Sequence, residues 1–163
     1  LADPNSPIGV LFVAVRGEGA AMAPIGGDQF RSIQVVPESK DANLRFVESV
    51  EAAHGNQPLQ RAIAQAAGIS HPSLRMDSQA KYGAIARGDA ALYLRLPSER
   101  TPDYREKTWD HAAGALIVEE AKGRVTDMHG RQLDFASHFK MQENRGVDMS
   151  NGSIHNAVLE ALR

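Results

Sequence analysis

Five side chains spread along this chain have the types and settings that suit holding a phosphate: His54, Ser78, Lys81, Arg95 and Asp110. Asp110 stands in Trp109-Asp-His-Ala-Ala-Gly114, just ahead of the apolar run from Ala115 to Val118, where the first turn of a buried helix is expected. A carboxylate there has two uses. It can accept the unpaired first-turn N–H groups as a cap, or it can be held outward as an oxygen ligand for a divalent cation beside a phosphate. Ser78 opens a second helical stretch, so its hydroxyl can donate to a phosphate oxygen. Lys81, one turn further on, shares a face with Ser78 and adds a mobile positive charge. Arg95 can grip a second anionic group through two parallel donors.

Each of these residues also has a plain structural use. Ser78 serves as a helix cap, Lys81 as a solvated surface charge, Arg95 as the partner of a nearby carboxylate, and His54 as an exposed loop histidine. Glu99, Asp103 and Glu106 read as solvated charge in a polar loop over residues 98–108.

The elements that would position these groups follow from periodicity and punctuation. Strands are predicted over Gly9–Val15, Ala20–Pro24, Ile33–Val36, Leu44–Glu51, Ala90–Pro97 and Arg124–Asp127, with a further one over Gly146–Ser150. Leu59, Ile63, Ala66 and Ala67 recur at helical spacing ahead of Gly68, which suits a C-terminal cap. Met76-Asp77-Ser78 starts a helix over Gln79–Ala86 that carries Tyr82 and Ile85 inward and stops at Gly88. The Asp110 helix runs to about Ala121, its Ala-Ala-Gly face small enough for close packing on a sheet. Ser153 to Leu162 closes the chain as a helix with Ile154, Val158 and Leu162 on one face. Strands alternating with helices predict a layered α/β fold. The character changes near residue 37, which divides residues 1–36 from an α/β domain over 37–163.

Composition narrows the classes of function. With 42% apolar and 23% charged residues the chain is an ordinary globular one. A net charge of −2 speaks against a nucleic-acid backbone as the main partner, yet leaves room for a small anionic ligand. With no cysteine there is no disulfide, thiol nucleophile or thiolate metal site, which suits a reducing, cytoplasmic setting. No apolar run reaches membrane-spanning length, so no membrane is expected. The opening Leu-Ala-Asp-Pro-Asn, without an initiator Met, and a short hairpin that wants a larger sheet predict a piece of a longer product.

Taken together, the segments Val47-Glu-Ser-Val-Glu-Ala-Ala-His54, Asp77-Ser-Gln-Ala-Lys-Tyr82, Tyr93-Leu-Arg-Leu-Pro97 and Lys107-Thr-Trp-Asp-His-Ala-Ala-Gly114 resemble a known pattern. They look like the C-terminal half of the 3'(2'),5'-bisphosphate nucleotidases, in the inositol monophosphatase superfamily. The similarity extends from Phe12-Val-Ala-Val-Arg-Gly-Glu-Gly-Ala20 to Thr126-Asp127 and Leu133-Asp-Phe135. Trp-Asp-x-x-Ala-Gly marks the superfamily; Asp-Ser-Gln-Ala-Lys-Tyr and Tyr-Leu-Arg-Leu-Pro point to the nucleotidase branch.

The resemblance implies a layered αβαβα fold, with residues 1–36 as the tail of an N-terminal sheet domain. It implies Mg²⁺ as cofactor, sensitivity to Li⁺, and Asp110 as a Mg²⁺ ligand. It implies that His54, Ser78, Lys81 and Arg95 bind adenosine 3',5'-bisphosphate, a small-molecule partner hydrolysed to AMP and phosphate in sulfate assimilation or nucleotide salvage. The superfamily's Glu, its Asp-Pro-Ile-Asp-Gly-Thr segment and a further water-activating acid do not occur here, so no catalytic residue is assigned and this chain alone is expected to be inactive. The missing half is expected elsewhere, with a separate chain as one source. Two further readings stand beside this one: a nucleotide-binding module without catalysis, and an inositol phosphate phosphatase of the same superfamily. Two departures from the pattern stand out. Lys122 sits where Gly is usual, and Asp148 interrupts a usually apolar strand, which puts the packing of that strand in doubt.

Overall fold

In a computed structural model, residues 8–37, 44–51, 55–98 and 100–163 are described. They form eight strands and four helices in the order β1 (Val10–Val15), β2 (Gly19–Pro24), β3 (Arg31–Ile33), β4 (Phe46–Glu48), α1 (Gln57–Ala66), β5 (Leu74–Arg75), α2 (Ala80–Ala86), β6 (Leu92–Arg95), α3 (Thr108–Glu120), β7 (Arg124–Thr126), β8 (Val147–Ser150) and α4 (His155–Ala161). β1, β2 and β3 make an antiparallel three-stranded sheet. The other strands make a mixed sheet in the order β5-β4-β6-β8-β7, with β4 parallel to both β5 and β6 and with β8 antiparallel to both β6 and β7. No helix among the described residues is long and apolar enough to cross a membrane.

The layers follow from which faces are apolar. In β1 the residues alternate, so Val10, Phe12 and Ala14 turn inward while Leu11, Val13 and Val15 face out. Their inner face meets α3, whose other contacts include β7, while α2 lies against α3, β4 and β6. One core therefore joins Met22 and Ile33 of the small sheet to Tyr82, Ile85, Ala115 and Val118 of the two helices and to Val47, Val125 and Met149 of the large sheet. On the far side of the large sheet, α1 and α4 cover Phe46, Leu92 and Leu94 with Ile63, Ala64, Ile154 and Val158. β6 is buried on both faces, which is why it reads as the unbroken apolar run Leu92-Tyr-Leu94.

Several sequence expectations are corrected here. β3 spans Arg31–Ile33 rather than Ile33–Val36, because the later residues bond elsewhere: Val35 N–H donates to the Ala121 carbonyl and the Asn151 amide to that of Val36. β4 is shorter than Leu44–Glu51, and β5, only two residues long, carries too little pattern to be read. In α1 the buried stripe is Gln57, Gln60, Ile63 and Ala64, while Leu59 is exposed. Gln57 earns its place by donating to the Ser49 carbonyl at 2.9 Å, a tertiary partner that periodicity cannot foresee.

α3 packs on sheet strands as expected, and at Gly114 its small face also meets α2. A methyl group on Gly114 would overlap the ring of Tyr82 in α2. Lys122 adopts φ 72°, the left-handed conformation that glycine takes without strain, which explains why a glycine suits that position.

Asp148 does not break β8. It pairs with Leu94 on one side and Thr126 on the other, fully buried, with neither carboxyl oxygen hydrogen-bonded. Burial pushes its carboxyl well above the usual carboxylate range, with Arg124 opposing. His155 Nε2 lies 3.7 Å away, but its imidazole is already engaged. The Thr126 hydroxyl donates to the Asp127 carbonyl, so it accepts from His155 Nε2–H at 3.0 Å, and the Ser150 hydroxyl donates to Nδ1 at 2.9 Å. Burial, with Arg124 adding to it, holds His155 down to about 4, so its ring is uncharged in the fold at neutral pH.

Two predictions follow from this packing. Because Asp148 keeps a proton that the unfolded chain loses above pH 4, its contribution to stability falls as pH rises towards its folded value, by up to about 1.4 kcal/mol per pH unit. Asp148→Asn removes that slope, so the gap between the variant's melting temperature and that of the wild type should widen in the variant's favour as pH rises above 4; parallel curves would refute it. Gly114→Ala adds a methyl group against Tyr82 and should lower stability by about 1–2 kcal/mol, the overpacking outweighing the gain in helix propensity. That corresponds to a drop of roughly 2–8 °C in thermal unfolding.

Candidate active-site cleft

The N-terminal ends of α2 and α3 are brought side by side. The Gln79 amide, at the start of α2, donates to the Trp109 carbonyl in α3 at 3.2 Å. The turn before α2 is tied to β4, since Asp77 accepts from the Val50 N–H at 3.0 Å and Met76 N–H donates to the Glu48 carbonyl. The approach to α3 is clamped from the other side: Met141 N–H donates to the Glu106 carbonyl and Thr108 N–H to that of Phe139. The C-terminal end of β6 points into the same region and delivers Arg95.

A cleft of about 500 Å³ opens there, and Ser78, Lys81, Arg95 and Asp110 all line it, with Tyr82, Tyr93, Tyr104, Glu106 and His111. Four of the five residues singled out in the sequence thus share one cleft. His54, the fifth, lies outside the described residues, as does Glu99.

Their settings differ from expectation in instructive ways. Ser78 precedes α2 instead of opening it. It sits at φ 61°, is exposed, and its hydroxyl oxygen accepts from Ala80 N–H at 3.4 Å. Lys81 is neither mobile nor solvated: it is 5% exposed, with Nζ 5.1 Å from the centre of the Tyr93 ring. Burial pushes its ammonium below the ordinary lysine value, Arg95 adds to that, and Asp77 opposes it. Asp110 is not the N-cap of α3. That position is Lys107, and Asp110, two residues into the helix after Thr108, is exposed at the cleft in the first turn, where a carboxylate complements the helix dipole.

Two members of the cleft were missed or misread. Glu106, read as solvated loop charge, is buried. It accepts from Arg95 Nε and from His111 Nε2, each at 3.0 Å. Burial alone would push Glu106 up, but the His111 hydrogen bond and the Arg95 charge carry it below its usual value. The plain reading of Arg95 as a carboxylate's partner therefore holds at the same time as its place in the cleft. His111 is buried, and its Nδ1 meets the Tyr82 hydroxyl. Burial raises the Tyr82 hydroxyl well above its ordinary value, so it keeps its proton and donates. No local pattern marks Glu106; its neighbours in the loop are polar, and only the β6–α3 approach covers it.

Among the described residues no group of three or more His, Cys, Asp or Glu side chains could hold a metal ion. Asp110 offers one oxygen to a cation such as Mg²⁺, which takes six. The residues present therefore do not by themselves fit a Mg²⁺ site, and no hydrolytic step is assigned to them.

The inositol monophosphatase family model matches residues 1–163. This chain belongs to the inositol monophosphatase family. A 3'(2'),5'-bisphosphate nucleotidase of Emericella nidulans is 45% identical over 99% of this chain and 47% of its own length. One of Schizosaccharomyces pombe is 42% identical over 96% of this chain and 44% of its own length. The chain thus spans about half the length of the curated relatives it matches. An inositol monophosphatase from Anabaena superposes with a TM-score of 0.67 at 22% identity, covering 94% of this chain and 54% of that one, which shows a shared fold.

The Tyr82–His111 contact can be tested directly. Tyr82→Phe leaves a buried imidazole nitrogen without its donor and should destabilise the fold by about 1–3 kcal/mol in urea unfolding. An unchanged midpoint would show that the hydroxyl contributes nothing.

Proposed function

We propose that this chain holds the substrate of a 3'(2'),5'-bisphosphate nucleotidase, and that the whole enzyme hydrolyses adenosine 3',5'-bisphosphate to AMP and phosphate with Mg²⁺. The observation that carries this is the convergence of Ser78, Lys81, Arg95 and Asp110 on one cleft. Relatives named for that activity are 42–45% identical over 96–99% of this chain. Residues 1–36 then belong to a sheet domain completed elsewhere, and residues 37–163 to the substrate-binding domain.

The chemistry suits a doubly phosphorylated ligand. Lys81, partly stripped of water, and Arg95 offer two cationic anchors, and Ser78 adds a hydroxyl donor. Anchoring the phosphate that does not react positions the one that does. Asp110 would supply one ligand to Mg²⁺, with further carboxylates needed from residues other than those of this cleft. Such a cation, held at Asp110, would supply the chemistry of lowering the pKa of a bound water and steadying charge on an oxygen. His54 contacts the nucleotide in this reading.

Calorimetry on the chain tests the binding half of the proposal. Adenosine 3',5'-bisphosphate should bind more tightly than AMP and than inositol 1-phosphate, and Lys81→Ala and Arg95→Ala should each weaken it at least tenfold, about 1.4 kcal/mol or more. Equal affinity for the inositol compound would favour the inositol phosphatase reading instead. For the catalytic half, the chain joined to the N-terminal half of the Emericella nidulans relative should release phosphate, and Asp110→Asn should abolish it. Full turnover in that variant would remove Asp110 from the metal site.

A further inference from the structure

Glu106 places a negative charge on the wall of a cleft whose other charged walls include two cations and which, on the reading above, takes an anion. Such a charge opposes the ligand, so its use lies elsewhere. Both of its oxygens are committed. Oε1 accepts from Arg95 Nε at 3.0 Å and Oε2 from His111 Nε2 at 3.0 Å. Because Nε2 donates to a carboxylate it carries the proton, so Nδ1 accepts from the Tyr82 hydroxyl. The chain of donors runs in one direction, from Tyr82 through His111 to Glu106, with Arg95 closing it from the opposite end.

We propose that Glu106 is a positioning residue that fixes the spacing between the two ends of the anion site, holding the Arg95 guanidinium by its Nε edge and, through His111, the first turn of α3 that carries Asp110. The proposal rests on the cleft being a phosphate site. Three features support it. Arg95 comes from β6 and His111 from α3, so one carboxylate ties the end of that strand to the first turn of that helix. His111 directly follows Asp110, so holding its ring at both nitrogens fixes the rotation of that turn. Glu106 is itself held, with its carbonyl bonded to Met141 N–H at 2.9 Å and its side chain buried. A glutamine there cannot accept at both terminal atoms, so it keeps the shape and loses one of the two ties.

Two measurements decide it. In the ligand-free chain, nitrogen-15 NMR should show the Arg95 Nε–H and His111 Nε2–H protons exchanging slowly with water; in Glu106→Gln at least one should exchange ten times faster or more. Fast exchange of both in the wild type overturns the proposal, whether or not any variant folds. By calorimetry with adenosine 3',5'-bisphosphate, Glu106→Gln should weaken binding at least tenfold, yet change it less than twofold once Arg95 is already alanine. Equal losses in the two backgrounds, or tighter binding in Glu106→Gln, overturn the proposal, since the carboxylate would then act independently of Arg95 or merely as an opposing charge. Glu106→Asp, which keeps two acceptors on a shorter arm, should recover part of the affinity; no recovery relative to Glu106→Gln counts against it. If the wild type binds no nucleotide while its two protons exchange slowly and the glutamine variant releases one, the nucleotide reading falls and the positioning role stands.

Discussion

The close approach of α3 to α2, with the Tyr82 ring filling the space that a side chain on Gly114 would take, is the contact on which the arrangement depends. Both helices lie in the layer between the two sheets, and Lys81 and Asp110 project from their adjoining N-terminal turns. A wider separation would move those two groups apart and open the core around Ile85, Ala115 and Val118. Tyr82 serves both sides of this contact: its ring packs on the glycine, and its hydroxyl reaches His111, the neighbour of Asp110.

Polar groups inside the fold are handled in two ways. Around the cleft, buried charge is matched by charge. Glu106 meets Arg95 and His111, and farther along the sheet Glu48 accepts from Arg61 at 2.9 Å and from Ser73 at 2.8 Å. Between β8 and α4 the opposite solution appears. His155 is satisfied by two hydroxyls as a neutral ring, and Asp148 is left without donors, its carboxyl pushed by burial towards the protonated form. A carboxyl that is neutral costs far less to bury than a carboxylate, which lets β8 keep its register through a buried acid.

Much of the design was legible in the chain itself. Alternation exposed β1 and the unbroken apolar run exposed β6, because burial on one or both faces of a sheet writes itself directly into residue type. Ser78, Lys81, Arg95 and Asp110 could be picked out because hydroxyl, ammonium, guanidinium and carboxylate groups at element ends are what a phosphate site uses. Short segments such as Trp109-Asp-His-Ala-Ala-Gly114 also marked the family.

Tertiary structure decided the rest, and for a consistent reason: a residue's environment depends on partners distant in the chain. Lys81 lies under Tyr93 and not in solvent, Glu106 is a buried anchor and not loop charge, and Gln57 occupies a helix stripe that Leu59 vacates, because strands and loops from elsewhere cover them. That four scattered polar side chains line one cleft follows from the α2–α3 contact meeting the end of β6, a convergence that leaves no local trace. Residue type told which chemistry the side chains could perform; only packing settled which of them meet, and with what charge.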